Sequence, residues 1–418
     1  MMRAFLSVAV VYAIGVPLSL LVNILLARWM SVEEFGNYSF ALSFAILLAL
    51  PVSGGLVLLL TREVAKSESA RDPERYARLV NTTVLWVLLA SVGLGAVSLG
   101  VFQLVSTELD TLLPLALALV PGLAFVAFGE GIAKGFGKPV YGEALRQIIA
   151  PFLLLAGATL FWLSGSIDAE SVLITHVAAL SLAGLLALFG AIQAAQNSLK
   201  LKFASVEEIK GLATAFVSFG MITGLGLLIS QFATIALGVL GDGEQVAYLK
   251  VAERGSQLVA LPLMFVNAIL GPKIVQAHDF GDRDALIRLS RSAARLALAV
   301  AMPIAVILII WGKLIITISF GADYADAAYA PMVALCIAQL LFVGLGMPGL
   351  ILAMTGHEMD NLISRVMGFF VLAALVLWLS ASYGVFGAAL GVAFGIVIIK
   401  VLATSFLFWR LRFLSGPI

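Results

Sequence analysis

Charge is scarce in this 418-residue chain: only 12% of residues are Asp, Glu, Lys or Arg, against about 25% in a soluble globular domain. A soluble enzyme and a disordered chain are excluded by that composition. The 25 basic and 24 acidic residues nearly cancel, which excludes a nucleic-acid binder that works by bulk charge. A single cysteine, Cys336, allows no internal disulfide and no Cys-cluster metal site. Histidine occurs at His176, His278 and His357 only, too scattered for a zinc site. There is no Walker A motif, no HExxH, no GxSxG and no acid pair in a large extramembrane segment. An ATP-driven exporter and a membrane protease are disfavoured on those grounds, and missing strand-type alternation excludes an outer-membrane barrel.

What is present is apolar: 62% of the chain is hydrophobic. About 20 such residues cross a bilayer core of about 30 Å as a helix. Twelve stretches qualify, near 5–26, 38–60, 80–102, 112–131, 145–163, 174–193, 212–237, 251–270, 296–318, 328–347, 366–382 and 385–408. The first, after Met1-Met2-Arg3, resembles a signal peptide but has no small-x-small cleavage site and is expected to be a retained helix. Positive charges collect on one side: Arg3, Arg62–Arg78, Lys134–Arg146, Lys200–Lys210, Lys273–Arg295, Arg365, and Arg410 with Arg412. The other side receives Arg28, Lys250, Arg254 and Lys313, and short connections with acids such as Glu108, Asp110, Asp168 and Glu170. Both termini are therefore expected in the cytoplasm, with the chain in the inner membrane. The basic loops Arg62–Leu79 and Lys273–Arg295 are expected to form helices lying on the inner leaflet.

The halves repeat. At an offset of 210, Glu34 falls on Glu244, Tyr38 on Tyr248, Asp72 on Asp282, Arg78 on Arg288 and Pro121 on Pro331. Nine residues further, Gly137 falls on Gly356, Arg146 on Arg365 and Gly165 on Gly384. The expected fold is an all-α membrane protein of about 12 transmembrane helices in two parallel-repeat six-helix bundles around a central cavity. The bundles would span 1–196 and 211–418, joined by a cytoplasmic linker at 197–210. Parallel repeats of this kind frame a transport path.

Polar residues within spans mark that path, because ionisable groups at membrane depth are costly. Tyr12, Gly15, Ser19 and Asn23 share one face of the first span, with Arg28 beyond them. Lys250, Arg254 and Gln257 form a stripe on the eighth, with Glu253 beside it; Gln231 and Thr234 lie on one face of the seventh, and Tyr38 opens the second. One reading is a cavity whose Arg28, Lys250 and Arg254 hold an anionic group, since a guanidinium pairs bidentately with phosphate. The other is that Arg28 and Lys250 snorkel to the headgroups and that Glu253 neutralises its neighbours. Lys400 is either a snorkeler or paired with an acid. His176 relays protons or is structural. Gly387, Gly391 and Gly395 form a small-xxx-small run that serves packing inside a bundle or dimerisation.

The stretch Leu26-Ala27-Arg28-Trp29-Met30-Ser31-Val32-Glu33-Glu34-Phe35-Gly36-Asn37-Tyr38 resembles the opening of polysaccharide flippases, whose first helix ends in Ala-Arg before a Glu-Glu-Tyr-Gly-x-Tyr-like turn. Leu240-Gly241-Asp242-Gly243-Glu244 to Tyr248 is similar to that device, and Phe320-Gly321-Ala322-Asp323-Tyr324 to the family's Phe-Gly-x-x-Tyr. The resemblance implies the polysaccharide-transporter branch of the multidrug/oligosaccharidyl-lipid/polysaccharide exporter superfamily. It implies alternating-access flipping of a polyprenyl-diphosphate-linked oligosaccharide, of the O-antigen kind, for cell-surface polysaccharide. No cofactor or nucleic acid is implied; the partners are the lipid-linked glycan, membrane lipids and other polysaccharide-assembly proteins. The diphosphate would meet Arg28, Lys250 and Arg254, and the sugars Tyr12, Ser19, Asn23, Tyr38, Gln231, Glu253 and Gln257. Ala233-Thr234 stands where many members carry an acid followed by arginine, which leaves the coupling ion, H+ or Na+, open. The alternatives are a cation-coupled drug or metabolite antiporter of the same superfamily and a polytopic enzyme of glycan assembly.

Overall fold

A computed structural model describes residues 2–102, 112–194, 203–240, 242–280 and 282–417. Glu108, Asp110, Lys200, Lys202, Gly241 and residues 197–202 of the expected linker lie outside the described residues. The described chain is helical throughout and contains no strand. It falls into two compact units, Met1–Leu227 and Leu228–Ile418.

In the N-terminal unit, α1 (Met2–Trp29) is followed by α2 (Val32–Leu48), α3 (Leu50–Ser53) and α4 (Leu56–Ser69). Next come α5 (Pro73–Phe102), α6 (Leu112–Gly135), α7 (Pro139–Ala144), a π-helical turn (Leu145–Ile149), α8 (Ala150–Leu163) and α9 (Ala169–Ala194). α10 (Val206–Val239) runs across the boundary. The C-terminal unit continues with α11 (Gly243–Asp279), α12 (Arg283–Ser319), α13 (Ala322–Gly344), α14 (Pro348–Met354) and α15 (Glu358–Leu411). Nine helices among the described residues are long and apolar enough to cross a membrane, or ten when α2 and the α3–α4 run, bent by 42° at the break between Leu48 and Leu50, count as one span. α11, which carries Lys250, Glu253 and Arg254, is not one of the nine. α15 supplies two spans. At about 1.5 Å per residue its 54 residues would be more than twice too long for one, and the chain reverses at Gly384, φ 56° and ψ −136°. The protein is a multi-pass membrane protein whose helix order is consistent with twelve spans.

The two legs of α15 pack antiparallel in an unbroken register. A β-carbon at Gly387 would stand 2.0 Å from the Leu379 carbonyl oxygen, one at Gly391 2.6 Å from the Val376 nitrogen, and one at Gly395 2.5 Å from Leu372 Cβ. On the other leg, Gly368 abuts Ile399 in the same way. The glycine run thus serves helix packing within the hairpin, where missing side chains let backbones touch.

The repeat is visible in the backbone. Asp72 accepts the Arg75 N–H at the start of α5, and Asp282 the Ala285 N–H at the start of α12. Both caps follow a turn closed by a six-residue hydrogen bond, Asp72 N–H to the Ser67 carbonyl and Asp282 N–H to the Ala277 carbonyl, the helix-ending bond of a Schellman turn. Gly137 and Gly356 both have positive φ, 68° and 78°, and are followed by matching bonds from Lys138 to Ala133 and from His357 to Leu352. Gly165 and Gly384 are likewise left-handed. The nine-residue shift has a location: where α6 is continuous, α13 breaks at Leu345–Met347 and α14, opened by Pro348, fills the remainder.

One expectation is corrected. The basic stretches 62–79 and 273–295 do not form separate surface helices. α4 runs on to Ser69 and α5 starts at Pro73; α11 runs on to Asp279 and α12 starts at Arg283. A continued helix satisfies every backbone group that a separate surface segment would have to leave to water or caps.

Candidate functional site

In the C-terminal unit the structure joins most of the predicted stripe. The ammonium of Lys250 donates to Glu253 Oε2 at 3.1 Å and to Gln231 Oε1 of α10 at 3.4 Å. Both partners of the ion pair are largely shielded, with 13% and 14% of their side-chain surface exposed. Arg254 donates to Gln257 Oε1 at 3.3 Å and is half-buried, whereas Gln257 is exposed. The i, i+3 and i, i+4 spacing places these groups on adjoining strips of α11. Glu253 therefore neutralises Lys250, and Arg254 is one turn further along. Ala233 and Thr234, at the family's acidic position, are packed at 2% and 0% exposure.

The predicted groups of the N-terminal unit have varied surroundings. Asn23 and Ser19 are half-buried, and the Asn23 amide donates to the Ser19 carbonyl at 2.7 Å. Arg28 lies exposed in the last turn of α1, where a cation favours the helix dipole. Tyr38 is 4% exposed, and its hydroxyl meets His176 Nδ1 at 3.0 Å. His176 thus has a structural partner. Glu34 of the turn accepts the Ala169 N–H at 2.6 Å and so caps the start of α9. Tyr12 reaches Arg146 at 3.5 Å.

That last contact leads to a cluster missed in the sequence. Glu130 and Glu143, each 5% exposed, are bridged by two cations. Lys134 stands 2.5 Å from Glu130 and 2.8 Å from Glu143; Arg146 stands 3.1 Å from Glu130 and 3.0 Å from Glu143. The four charges cancel, which lets both carboxylates be buried. α1 reaches them because Gly15 lies against the π-helical turn; a β-carbon there would stand 2.7 Å from Gln147 Cβ. Such π-turns often lie at functional positions. The available signal was the i, i+4 spacing of Glu130 with Lys134 and the i, i+3 spacing of Glu143 with Arg146. In the sequence both cations read as part of the cytoplasmic charge bias. Lys400 is also resolved: it is 7% exposed, with its ammonium 3.8 Å from the centroid of the Phe342 ring, a cation–π contact rather than a snorkel. No group of metal-ligating side chains occurs among the described residues.

Long apolar helices in two units, with charged clusters buried among them, define a multi-pass helical membrane fold. Solved structures share it. The chain is similar to an inward-facing multidrug resistance MATE family transporter of the MOP superfamily (TM-score 0.77, 15% identity, 94% of each chain covered). It is also similar to the lipid II flippase MurJ in an inward closed conformation (TM-score 0.78, 15% identity, 97% of this chain and 87% of that one). A third is a MOP superfamily transporter from Pyrococcus furiosus described by the reversed polarity of its binding pocket (TM-score 0.66, 15% identity, 98% and 96%). Among curated proteins none matches. The family described as polysaccharide biosynthesis protein matches residues 1–278, and the chain belongs to it.

Proposed function

We propose that the protein is a flippase that moves a polyprenyl-diphosphate-linked oligosaccharide across the cytoplasmic membrane by alternating access, supplying cell-surface polysaccharide synthesis. The observation that carries this reading is the hydrogen-bonded stripe of Gln231, Lys250, Glu253, Arg254 and Gln257 in a chain 62% hydrophobic. Charges at membrane depth are retained where they serve a substrate path. Membership of a polysaccharide biosynthesis family supports a glycan cargo, and the fold shared with the lipid II flippase MurJ supports a lipid-linked one. Arg28, Lys250 and Arg254 recognise the diphosphate at one stage or another of its passage, Arg254 as the planar donor. Tyr12, Ser19, Asn23, Gln231 and Gln257 offer hydroxyls and amides to sugars. The bundles 1–196 and 211–418 act as the two repeats, joined through 197–210. Both termini face the cytoplasm, as the basic bias requires.

The test is movement of a fluorescent polyprenyl-diphosphate sugar between leaflets of liposomes carrying the purified chain, beside an Arg28→Ala/Lys250→Ala/Arg254→Ala control. Movement by the native chain and none by the control supports the proposal. Equal movement by both removes charge recognition. No movement by folded native protein, with or without an ion gradient, favours a cation-coupled antiporter.

A further inference from the structure

Beyond the transport path, the N-terminal unit carries a recess of a different kind. Arg62 and Lys66 of α4, Arg75 and Arg78 of α5, and Glu208 in the first turn of α10 surround a cleft of about 290 Å³ beside the turn that joins α4 to α5. Glu63, 7% exposed, is occupied by three of these cations: Arg62 at 2.9 Å, Lys66 at 3.0 Å and Arg75 at 2.9 Å. Arg78 meets Glu208 at 3.3 Å. Four cations thus face two carboxylates, and the side chains of Arg62, Lys66 and Arg75 keep 43%, 51% and 41% of their surface exposed. The cleft has a spare charge of two and donors free to turn toward an anion.

The same three helices continue into an apolar slot of about 370 Å³, and Leu212 of α10 lines both spaces. Leu56, Leu59, Trp86, Phe216 and Val217 form its walls. Polar groups there are already used. Thr83 donates to the Leu79 carbonyl, Thr82 accepts the Ala204 N–H, and the Trp86 indole donates to the Val52 carbonyl. The slot therefore offers an occupant mainly hydrocarbon contact.

A cationic cleft that shares Leu212 with a neighbouring apolar slot fits an amphiphile with an anionic head. We propose that it binds one anionic glycerophospholipid of the surrounding bilayer, with phosphate among Arg62, Lys66, Arg75 and Arg78 and an acyl chain against Trp86. Free phosphate would leave the slot unused, and a zwitterionic lipid would leave the spare charge unmet. A lipid-linked sugar fits less well, because the lining of the cleft is charged or aliphatic and presents no neutral hydroxyl or amide. Basic recesses between membrane helices are the physical form such lipid sites take.

Trp86 makes the site readable. The full chain is reconstituted in phosphatidylcholine bilayers into which brominated phosphatidylglycerol or brominated phosphatidylcholine is titrated. The Trp86 component is the quenching lost in Trp86→Phe. Brominated phosphatidylglycerol is expected to reach half-quenching at a mole fraction about tenfold lower than brominated phosphatidylcholine. Arg75→Gln/Arg78→Gln is expected to erase that preference. Glu208→Gln removes a competing carboxylate, keeps the acceptor for the Ser205 N–H, and is expected to sharpen it. Equal quenching by the two lipids overturns the proposal, as does a preference that survives the double substitution. Erasure by millimolar inorganic phosphate, or by polyprenyl phosphate at equal mole fraction, overturns it in favour of those ligands. Should the double variant not fold, Glu208→Gln decides alone, and an unchanged preference refutes the site. Transport is not read in this experiment, so it stands or falls apart from the flippase proposal.

Discussion

Consider Gly391→Ala, in the middle of the α15 hairpin. The added methyl would stand 2.6 Å from the Val376 nitrogen and 2.7 Å from its Cα, backbone atoms of a residue with no exposed surface. Ordinary contact begins near 3.4 Å, so the legs must part by roughly 1 Å. Overpacking of this kind costs about 1–3 kcal/mol. The obstacle is backbone, which has no rotamer to yield, so we place it at about 3 kcal/mol. Alanine's better helix propensity returns about 1 kcal/mol, leaving a net loss of about 2 kcal/mol. For a unit of this size that lowers the unfolding temperature by about 4–8 °C. The control is Gly93→Ala on α5, where a β-carbon meets nothing within 4 Å; the same propensity term should raise the temperature by about 2–4 °C. The assay is thermal unfolding of detergent-purified protein, followed by retention of the monodisperse peak in size-exclusion chromatography. One substitution type should act with opposite signs at the two positions. If Gly391→Ala unfolds at or above the native temperature, the close approach of the two legs is wrong.

Four further outcomes are expected in the same assay. Gly384→Ala should cost about 2–3 kcal/mol, because φ 56°, ψ −136° is nearly glycine-only and the methyl would stand 2.7 Å from Gln245 Oε1. Gly165→Ala, left-handed but in open space, should cost only about 1 kcal/mol; equal losses would refute the reasoning. Glu130→Gln leaves Lys134 and Arg146 sharing one carboxylate and should cost about 2 kcal/mol, reduced because Arg146 is half-exposed; the Glu130→Gln/Arg146→Gln pair should lose less than the sum of its singles. Asp282→Ala should lose about 1 kcal/mol with the α12 cap while Asp282→Asn stays within a few tenths, and equal losses in the two would exclude the cap. Lys400→Met should unfold at the native temperature or above, since a buried cation is exchanged for an apolar side chain of similar volume; a marked loss would mean that the Phe342 contact outweighs desolvation.

Much of the architecture was legible in the chain itself. Span lengths follow from apolar runs, because a bilayer demands about 20 such residues whatever surrounds them. Even the repeat could be read, since Gly137, Gly356, Gly165 and Gly384 occupy turns whose positive φ other residues resist. Helix ends were read less well. Arg62–Leu79 looked like a surface segment because its charges are amphipathic, yet the helices continue through it, with Asp72 capping the tight turn. Of the candidate site, the spacing of Lys250, Glu253, Arg254 and Gln257 was visible because all lie on one helix.

By itself, then, the sequence determined that the chain is a multi-pass helical membrane protein, where its turns repeat, and which faces of single helices are polar, because these depend on local periodicity and on transfer from water. The tertiary structure decided which polar groups meet. Tyr38 finds His176, Lys400 finds a ring, and Arg146 of the π-helical turn finds Glu130 and Tyr12. Those partners lie on different helices, up to 138 positions apart in the chain, so their meeting depends on how each helix is rotated about its axis against its neighbours. That rotation is set by packing, through contacts such as Gly15 on Gln147, which no single-helix periodicity contains.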